Sequence, residues 1–372
     1  MKVLLLGFGI QGKAIAFDLA SEGHLVYALD KDPKNFRKIK KFPRAIQRNI
    51  QVKEQSIEEK DKLIMLMKQG DITVSAVPGR FGRYLWECAM ESKTNLVDIS
   101  YCEDDPLIFT KDAQCRKIKI VPDAGFAPGL SNILVGSAYR RLNKIREIKI
   151  YVGNLPQHPR PPFKYHLTWS LEDLINEYLR PARIVKDSKI IEVPALSGIE
   201  TIFTNRLGKL EAFYTDGLRT LLKTIKHVSL MEEKTVRYPG HAELIRGLLN
   251  YSYTPSSSKN IKPQKFVVDF LRKVLEAKAE KDLSILIVKI RTPNIVLTYR
   301  LLDFYDEKTH ISSMARLTGF TASVITQIIP YYQKYGIIPP EFLGMHNYWA
   351  TKIIMELKKR KIYIKSQTQT YG

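Results

Sequence analysis

Residues Lys2 to Asp30 read KVLLLGFGIQGKAIAFDLASEGHLVYALD, and what this stretch folds into decides the architecture of the chain that follows. KVLLL is a short run of the buried-strand type. It gives way at once to GFGIQG, and then to KAIAFDLASEG, where Ile15, Ala16, Leu19 and Ala20 recur at helical spacing and Gly23 stops the pattern. HLVYALD is a second strand-like run that ends in an acid. The glycines at Gly7, Gly9 and Gly12 therefore fall where a strand turns into a helix, which is the context a dinucleotide-binding turn requires. Gly7 allows the tight turn, Gly9 lets a pyrophosphate approach the backbone, and Gly12 lets helix and strand pack closely. Phe8, Ile10 and Gln11 fill the turn between them. The helix start offers free N–H groups and partial positive charge to the phosphates. Asp30 ends the second strand and can accept from both ribose hydroxyls, which favours NAD over NADP; Lys31 beside it works in the opposite direction.

Moving outward, the alternation continues. A charged helical stretch follows Asp30, then a strand near Ile50, a helix around IEEKDKLIMLMKQG, the strand DITVSAVP, a helix from Gly82 to Ser92, and the strands TNLVDIS and KIKIVPDAG. Strand–helix alternation over about 125 residues predicts an α/β fold with a doubly wound parallel sheet. SAVPGRFG follows the fourth strand, which places Val77 and Pro78 near the nicotinamide half of a bound dinucleotide, or makes them a plain strand-ending turn. VPDAGFAPGLSN then carries an acid, two glycines and two prolines out of the last strand, with a helix expected from Ser131 or Asn132.

Beyond this elbow the pattern changes. EIKIYVGNLP, KIIEVPAL, SILIVKIRT and NIVLTYRLLDF are strand-like, and the last two, joined through PN, form a hairpin. YSYTPSSSKNIKPQ reads as a loop and FVVDFLRKVLEAKAEK as a helix. From Ile311 the segment ISSMARLTGFTASVITQII is helical until Pro330 kinks or ends it. The expected organisation is a Rossmann-type domain over 1–130, an inserted α+β domain with a mostly antiparallel sheet over 131–310, and C-terminal helices over 311–372 that return to the first domain.

The chain has 372 residues, 44% of them apolar and 26% charged, as in ordinary globular proteins. No apolar run approaches the roughly 20 residues of a membrane helix, and the start lacks a secretory pattern, so the expected location is the cytoplasm. The net charge of +21 is spread along the chain without a nucleic-acid motif, and reads as a basic surface that attracts anionic ligands rather than as a specific nucleic-acid interface. Cys88, Cys102 and Cys115 show no metal-ligand spacing, and no metal is expected.

VDISYCED, VPDAGFAPGLSN, YVGNLPQHPRPP, SLEDLINEYLRPARIV, EVPALSGIE, LEAFYTDGLRTL, KTVRYPGHAE and SSMARLTGFTASVITQII occur in the order in which similar segments occur in the saccharopine dehydrogenase-like family. Among its members the chain resembles most the lysine 6-dehydrogenase branch, over Met1 to about Gly344. The resemblance implies a Rossmann domain, an inserted sheet domain that binds substrate and forms a homodimer, and returning C-terminal helices. It also implies NAD-dependent oxidation of the lysine ε-amine to an imine, with loss of ammonia to a semialdehyde that can cyclise. SYCED and the VP of SAVPGRFG resemble the saccharopine-reductase branch instead, which acts on a secondary amine joining two amino acids.

Such chemistry needs a group to take the ammonium proton before hydride leaves, since an ε-ammonium has a pKa of about 10.4. Asp98, Asp123 and His241 are the candidates, with Glu243 behind them; Asp98 could equally make a turn and His241 could equally cap a helix. An amino-acid carboxylate calls for arginine, and Arg219 and Arg237 lie within the resembling motifs. Tyr101, Asn132 and Thr215 are candidate polar wall residues, while His158 and Tyr165 flank a proline-rich segment and can instead only shape a loop. Cys102 lacks a companion base and reads as a small buried thiol.

Overall fold

The computed structural model describes residues 1–253, 263–275 and 281–371. Six strands open the chain: β1 (Lys2–Leu6), β2 (Leu25–Asp30), β3 (Ile50–Glu54), β4 (Ile72–Ser75), β5 (Leu96–Asp98) and β6 (Lys119–Val121). Eight follow: β7 (Glu147–Pro156), β8 (Ala182–Lys186), β9 (Lys189–Val193), β10 (Glu200–Thr204), β11 (Gly208–Tyr214), β12 (Leu230–Arg237), β13 (Asp282–Arg291) and β14 (Ile295–Phe304). Then come β15 (Gly336–Ile337) and β16 (Lys365–Thr370). The chain divides into two compact units. One is Met1–Asn143 with Glu307–Ile311 and Ala315–Ile364; the other is Lys144–Asp306 with Ser312–Met314 and the segment from Lys365.

The first unit is built on a parallel sheet ordered β15-β6-β5-β4-β1-β2-β3. The chain runs outward from β1 to β2 and β3, then crosses to β4 on the other side. The reversal between β1 and β4 is the switch point where open α/β sheets hold ligands. The expected return of the C-terminal helices is present and has a packing reason. In the helix Ser313–Ile328, Gly319 meets Ala14 so closely that an added Cβ would stand 2.8 Å from that methyl. Arg360 closes the contact, its Nε donating to both oxygens of Asp18 at 2.7 and 2.8 Å, while Ser323 Oγ donates to Asp18 at 2.6 Å. The helix ends at Ile328, and Pro330 falls in a 3-10 turn, as a residue without an N–H dictates.

The second unit carries a nine-stranded mixed sheet, ordered β10-β11-β12-β7-β13-β14-β16, with β8 pairing both β12 and β9. Its pairings are antiparallel except β12 with β7. The expected β13–β14 hairpin is there, in register from Leu283↔Phe304 to Arg291↔Val296. Helices Leu171–Leu179, His241–Tyr253 and Pro263–Leu275 contribute Leu174, Ile245 and Leu271 to a core shared with Phe213 of β11.

Two local expectations come out differently, and a third lies mostly outside the described residues. The charged stretch after Asp30 is a 3-10 run, Pro33–Lys41, opened by the Asp32 carboxylate accepting from Lys34 N, followed by the short helix Arg44–Gln47. The helix after the elbow starts at Leu130, because Asn132 Oδ1 reaches back to accept from Gly129 N at 3.3 Å. The loop YSYTPSSSKNIKPQ lies mostly outside the described residues, as does the last part of FVVDFLRKVLEAKAEK.

Candidate functional site

The glycine turn folds as its spacing requires. Gly7 takes φ +90°, a left-handed value open to glycine, and an added Cβ would press on the Ala76 carbonyl at 2.5 Å. A Cβ on Gly12 would overlap the Gly7 carbonyl, so the helix Ile10–Ser21 can approach β1 only with glycine there. Gly9 is different: its φ of −68° suits any residue, and nothing described lies within 4 Å of an added Cβ. Among the described residues no side chain caps the helix start and Gln11 Oε1 is buried without a partner, while Ile10 is 48% exposed. An uncapped helix N-terminus open on the Gly9 side fits a dinucleotide pyrophosphate.

Asp30 ends β2 and bonds to the turns around it. Its Oδ2 accepts from Phe8 N at 2.7 Å and from Asn35 Nδ2 at 3.2 Å, and its Oδ1 accepts from Asp32 N at 2.9 Å. The acid thus fixes the glycine turn against the end of β2, while Lys31 is exposed. Val77 lies beside the turn, its Cγ1 3.1 Å from where a Gly7 Cβ would be, and Pro78 leads into the 3-10 turn Gly79–Phe81. Gly79 and Gly82 lack side chains because Tyr101 and Cys102 of the next loop occupy that space. Cys102 is buried, which pushes its thiol up and keeps it protonated.

The tips of β5 and β6 carry two of the acids. Asp98 is fully buried, and its carboxylate accepts from Trp86 Nε1, Ser100 N and Ser100 Oγ, each at 2.9 Å. Burial drives its pKa up, and these donors hold it back only in part. These bonds give Asp98 a part in making the turn after β5, the alternative weighed beside its candidacy as the base. Asp123, just past β6, is 1% exposed with φ +53°, a region Asp enters more readily than most residues. The Ala124 N–H donates to the Asp98 carbonyl at 2.9 Å, so the two tips are tied together. Asn132 is fully buried and bonded to Gly129 N, Ser131 Oγ and Glu341 Oε2, which pins two helices together.

The other candidates gather inside the second unit, where β12 aims Glu233, Thr235 and Arg237 at the helix layer. Thr215 Oγ1 meets Thr235 Oγ1 at 2.8 Å, and Thr235 Oγ1 donates to Glu177 at 2.7 Å. Arg237 is 4% exposed, lies 4.4 Å over the Tyr165 ring and donates to the Val236 carbonyl, yet its Nε is buried without an acceptor among the described residues. Arg219 is buried nearby in sequence with φ +53°. His241 opens the helix after β12 and is buried. Its Nδ1 meets the Phe163 carbonyl at 2.9 Å and its Nε2 meets the Tyr178 hydroxyl at 3.0 Å, so both nitrogens are taken. Burial and then Arg237 pull its pKa down to about 3. Glu243 follows on the exposed side of the same helix, and His158 is exposed. Glu233 is a buried acid that the sequence did not single out: burial, then Glu177 and Asp216, push its pKa well up, and its Oε2 has no partner among the described residues. Gly217 was the available signal, since any Cβ there would collide with that carboxylate.

Two family models divide the chain between them: the saccharopine dehydrogenase NADP binding domain matches residues 3–126 and the saccharopine dehydrogenase C-terminal domain matches residues 125–362. The chain belongs to the saccharopine dehydrogenase family. Curated relatives include alpha-aminoadipic semialdehyde synthase of Arabidopsis thaliana, 22% identical over 55% of this chain and 21% of that protein. Another is saccharopine dehydrogenase [NADP(+), L-glutamate-forming] of Saccharomyces cerevisiae, 23% identical over 55% of this chain and 48% of that protein. The chain spans between about a fifth and about half of the curated relatives it matches. The fold agrees with the solved apo saccharopine dehydrogenase (L-Glu forming) of Saccharomyces cerevisiae, with a TM-score of 0.77 at 17% identity and 99% of both chains covered. Among the described residues no helix is long and apolar enough to cross a membrane.

Proposed function

We propose that the chain is an NAD-dependent oxidoreductase that oxidises an amino-acid side chain at the carbon bearing its terminal nitrogen. The observation that carries this reading is the nucleotide turn of Gly7, Gly12 and Asp30 at the β1/β4 reversal, in a chain whose two halves both match saccharopine dehydrogenase domains. Bound NAD supplies the hydride acceptor. The open side at Gly9 and the first N–H groups of the helix hold its pyrophosphate, and Asp30 selects the ribose without a 2′-phosphate. The family model and the yeast relative carry NADP in their names, so the two cofactors are to be measured side by side.

The primary reading takes lysine. The ε-ammonium loses a proton, hydride leaves the same carbon, and water replaces the iminium nitrogen, so that lysine, NAD⁺ and water give semialdehyde, ammonium, NADH and one proton. Asp123, buried just past β6 and joined through Ala124 to the Asp98 tip, is the group we assign to the first proton. The buried Nε of Arg237, with Arg219, is assigned to the substrate carboxylate. Tyr101 and Thr215 orient the substrate. The second reading is favoured by the names of the relatives: the nitrogen is secondary, joined to a second amino acid, and glutamate leaves instead of ammonia. Both readings oxidise the same carbon and give the same semialdehyde. A homodimer through the second unit belongs to the proposal. Purified protein with NAD or NADP is assayed with lysine and with saccharopine. Ammonia release with lysine supports the first reading, glutamate release with saccharopine supports the second, and no reduced cofactor with either overturns both.

A further inference from the structure

The sheet of the second unit has a charged face away from its helix layer. On that face a cavity of about 250 Å³ is lined by Glu147, Lys149, Tyr151, Glu200, Lys289 and Arg291. None of these residues belongs to the nucleotide turn or to the cluster around Arg237. The strand register makes the lining unusual. Lys289 of β13 stands directly opposite Lys149 of β7, and Arg291 stands opposite Glu147. Like charges facing each other across an antiparallel pair destabilise a sheet, because their side chains leave the strands about 5 Å apart.

The neighbouring acids answer Lys149 but leave Lys289 without one. Lys149 Nζ is taken by Glu232 at 2.9 Å, and Glu200 is taken by Lys234 at 2.8 Å. Glu147 meets Arg291 Nε only at 3.6 Å. Lys289 is half-buried and has no ion-pair partner among the described residues. One cation is left over, on the wall of a cavity, pointing the same way as Lys149. An anion in the cavity would answer Lys289 directly and would draw Arg291 in from the rim. The volume limits that anion to roughly ten non-hydrogen atoms, below the range of drug-sized pockets.

We propose that this cavity is a binding site for a small anionic metabolite bearing carboxylate or phosphate groups, held by Lys149, Lys289 and Arg291. The site is separate from the proposed redox chemistry and stands or falls without it. Thermal unfolding and calorimetric titration of the full chain test it, using glutarate and inorganic phosphate as probes and sodium chloride at matched ionic strength as the control. The expected result is a saturable rise in Tm with at least one probe and none with chloride. Lys289→Gln raises Tm in the absence of anion, by relieving the opposed lysines, and weakens the probe at least tenfold; Arg291→Gln weakens it without the rise. NADH titrations are unchanged in both variants. A response to glutarate alone marks a carboxylate site, and a response to phosphate alone marks a phosphate site. No saturable binding of either probe at 10 mM (about the weakest useful affinity), or equal binding in wild type and Lys289→Gln, overturns the proposal.

Discussion

Gly9→Ala and Gly12→Ala look alike in sequence and are expected to behave as opposites. At Gly9 the backbone angles, φ −68° and ψ −157°, are open to alanine, and the new methyl meets no described atom within 4 Å. Folding stability is therefore expected to stay level or to rise by about 0.4–1 kcal/mol, because alanine restricts the unfolded chain. The methyl nevertheless occupies the open side of the turn, where a pyrophosphate approaches the helix start. A forced clash there costs about 1–3 kcal/mol by analogy with overpacking, and at 1.4 kcal/mol per decade this weakens the dinucleotide roughly 5- to 150-fold. At Gly12 the added Cβ overlaps the Gly7 carbonyl, so the protein itself must shift. Stability and cofactor binding are then expected to fall together. Urea unfolding and fluorescence titration with NADH give both quantities for each variant. Gly9→Ala with unchanged NADH affinity, or with a large loss of stability, would refute the assignment of that open side to the cofactor.

Other consequences follow from single contacts. Asp30→Ala is expected to weaken NAD more than NADP in paired titrations, while also weakening both somewhat, because the Phe8 N–H loses its acceptor. His241 stays neutral when folded, with a pKa of about 3 against about 6.5 unfolded, so the unfolded chain binds the extra proton. Its contribution to stability is present above pH 6.5 and is lost as pH falls toward 3; His241→Gln should flatten that part of the stability profile measured by chemical unfolding. Arg360→Met leaves Asp18 buried without its cation and should destabilise the first unit by about 3–5 kcal/mol, with Asp18→Asn in the same chain recovering part of the loss.

What could be read from the sequence was what local geometry enforces. Gly7, Gly12 and Asp30 announce a turn because backbone conformation and close approach leave few alternatives. The strand–helix alternation to Val121 follows from apolar periods, and so does the β13–β14 hairpin. LMEEKTVR shows where this fails. It forms β12 near the middle of the second sheet and is almost wholly buried, although half of its residues carry charge. Three of its four charges are answered from elsewhere: Glu232 by Lys149, Lys234 by Glu200, and Arg237 by the Tyr165 ring. No local pattern reveals such partners. Asn132 is a second case, since Glu341, which bonds its side chain, lies 209 residues away. KSQTQT is polar throughout and exposed, and only its pairing with β14 makes it a strand.

The central claim is that hydride leaves the carbon bearing the substrate's terminal nitrogen. Lysine carrying two deuterons on C6, and saccharopine labelled at the same carbon, can be incubated with the purified chain and NAD, and the reduced cofactor weighed by mass spectrometry. One of the two substrates should give NADH heavier by a single deuteron, with a semialdehyde that retains the other. Reduced cofactor without the label, or a labelled substrate that comes back unchanged while NAD is bound, would contradict it.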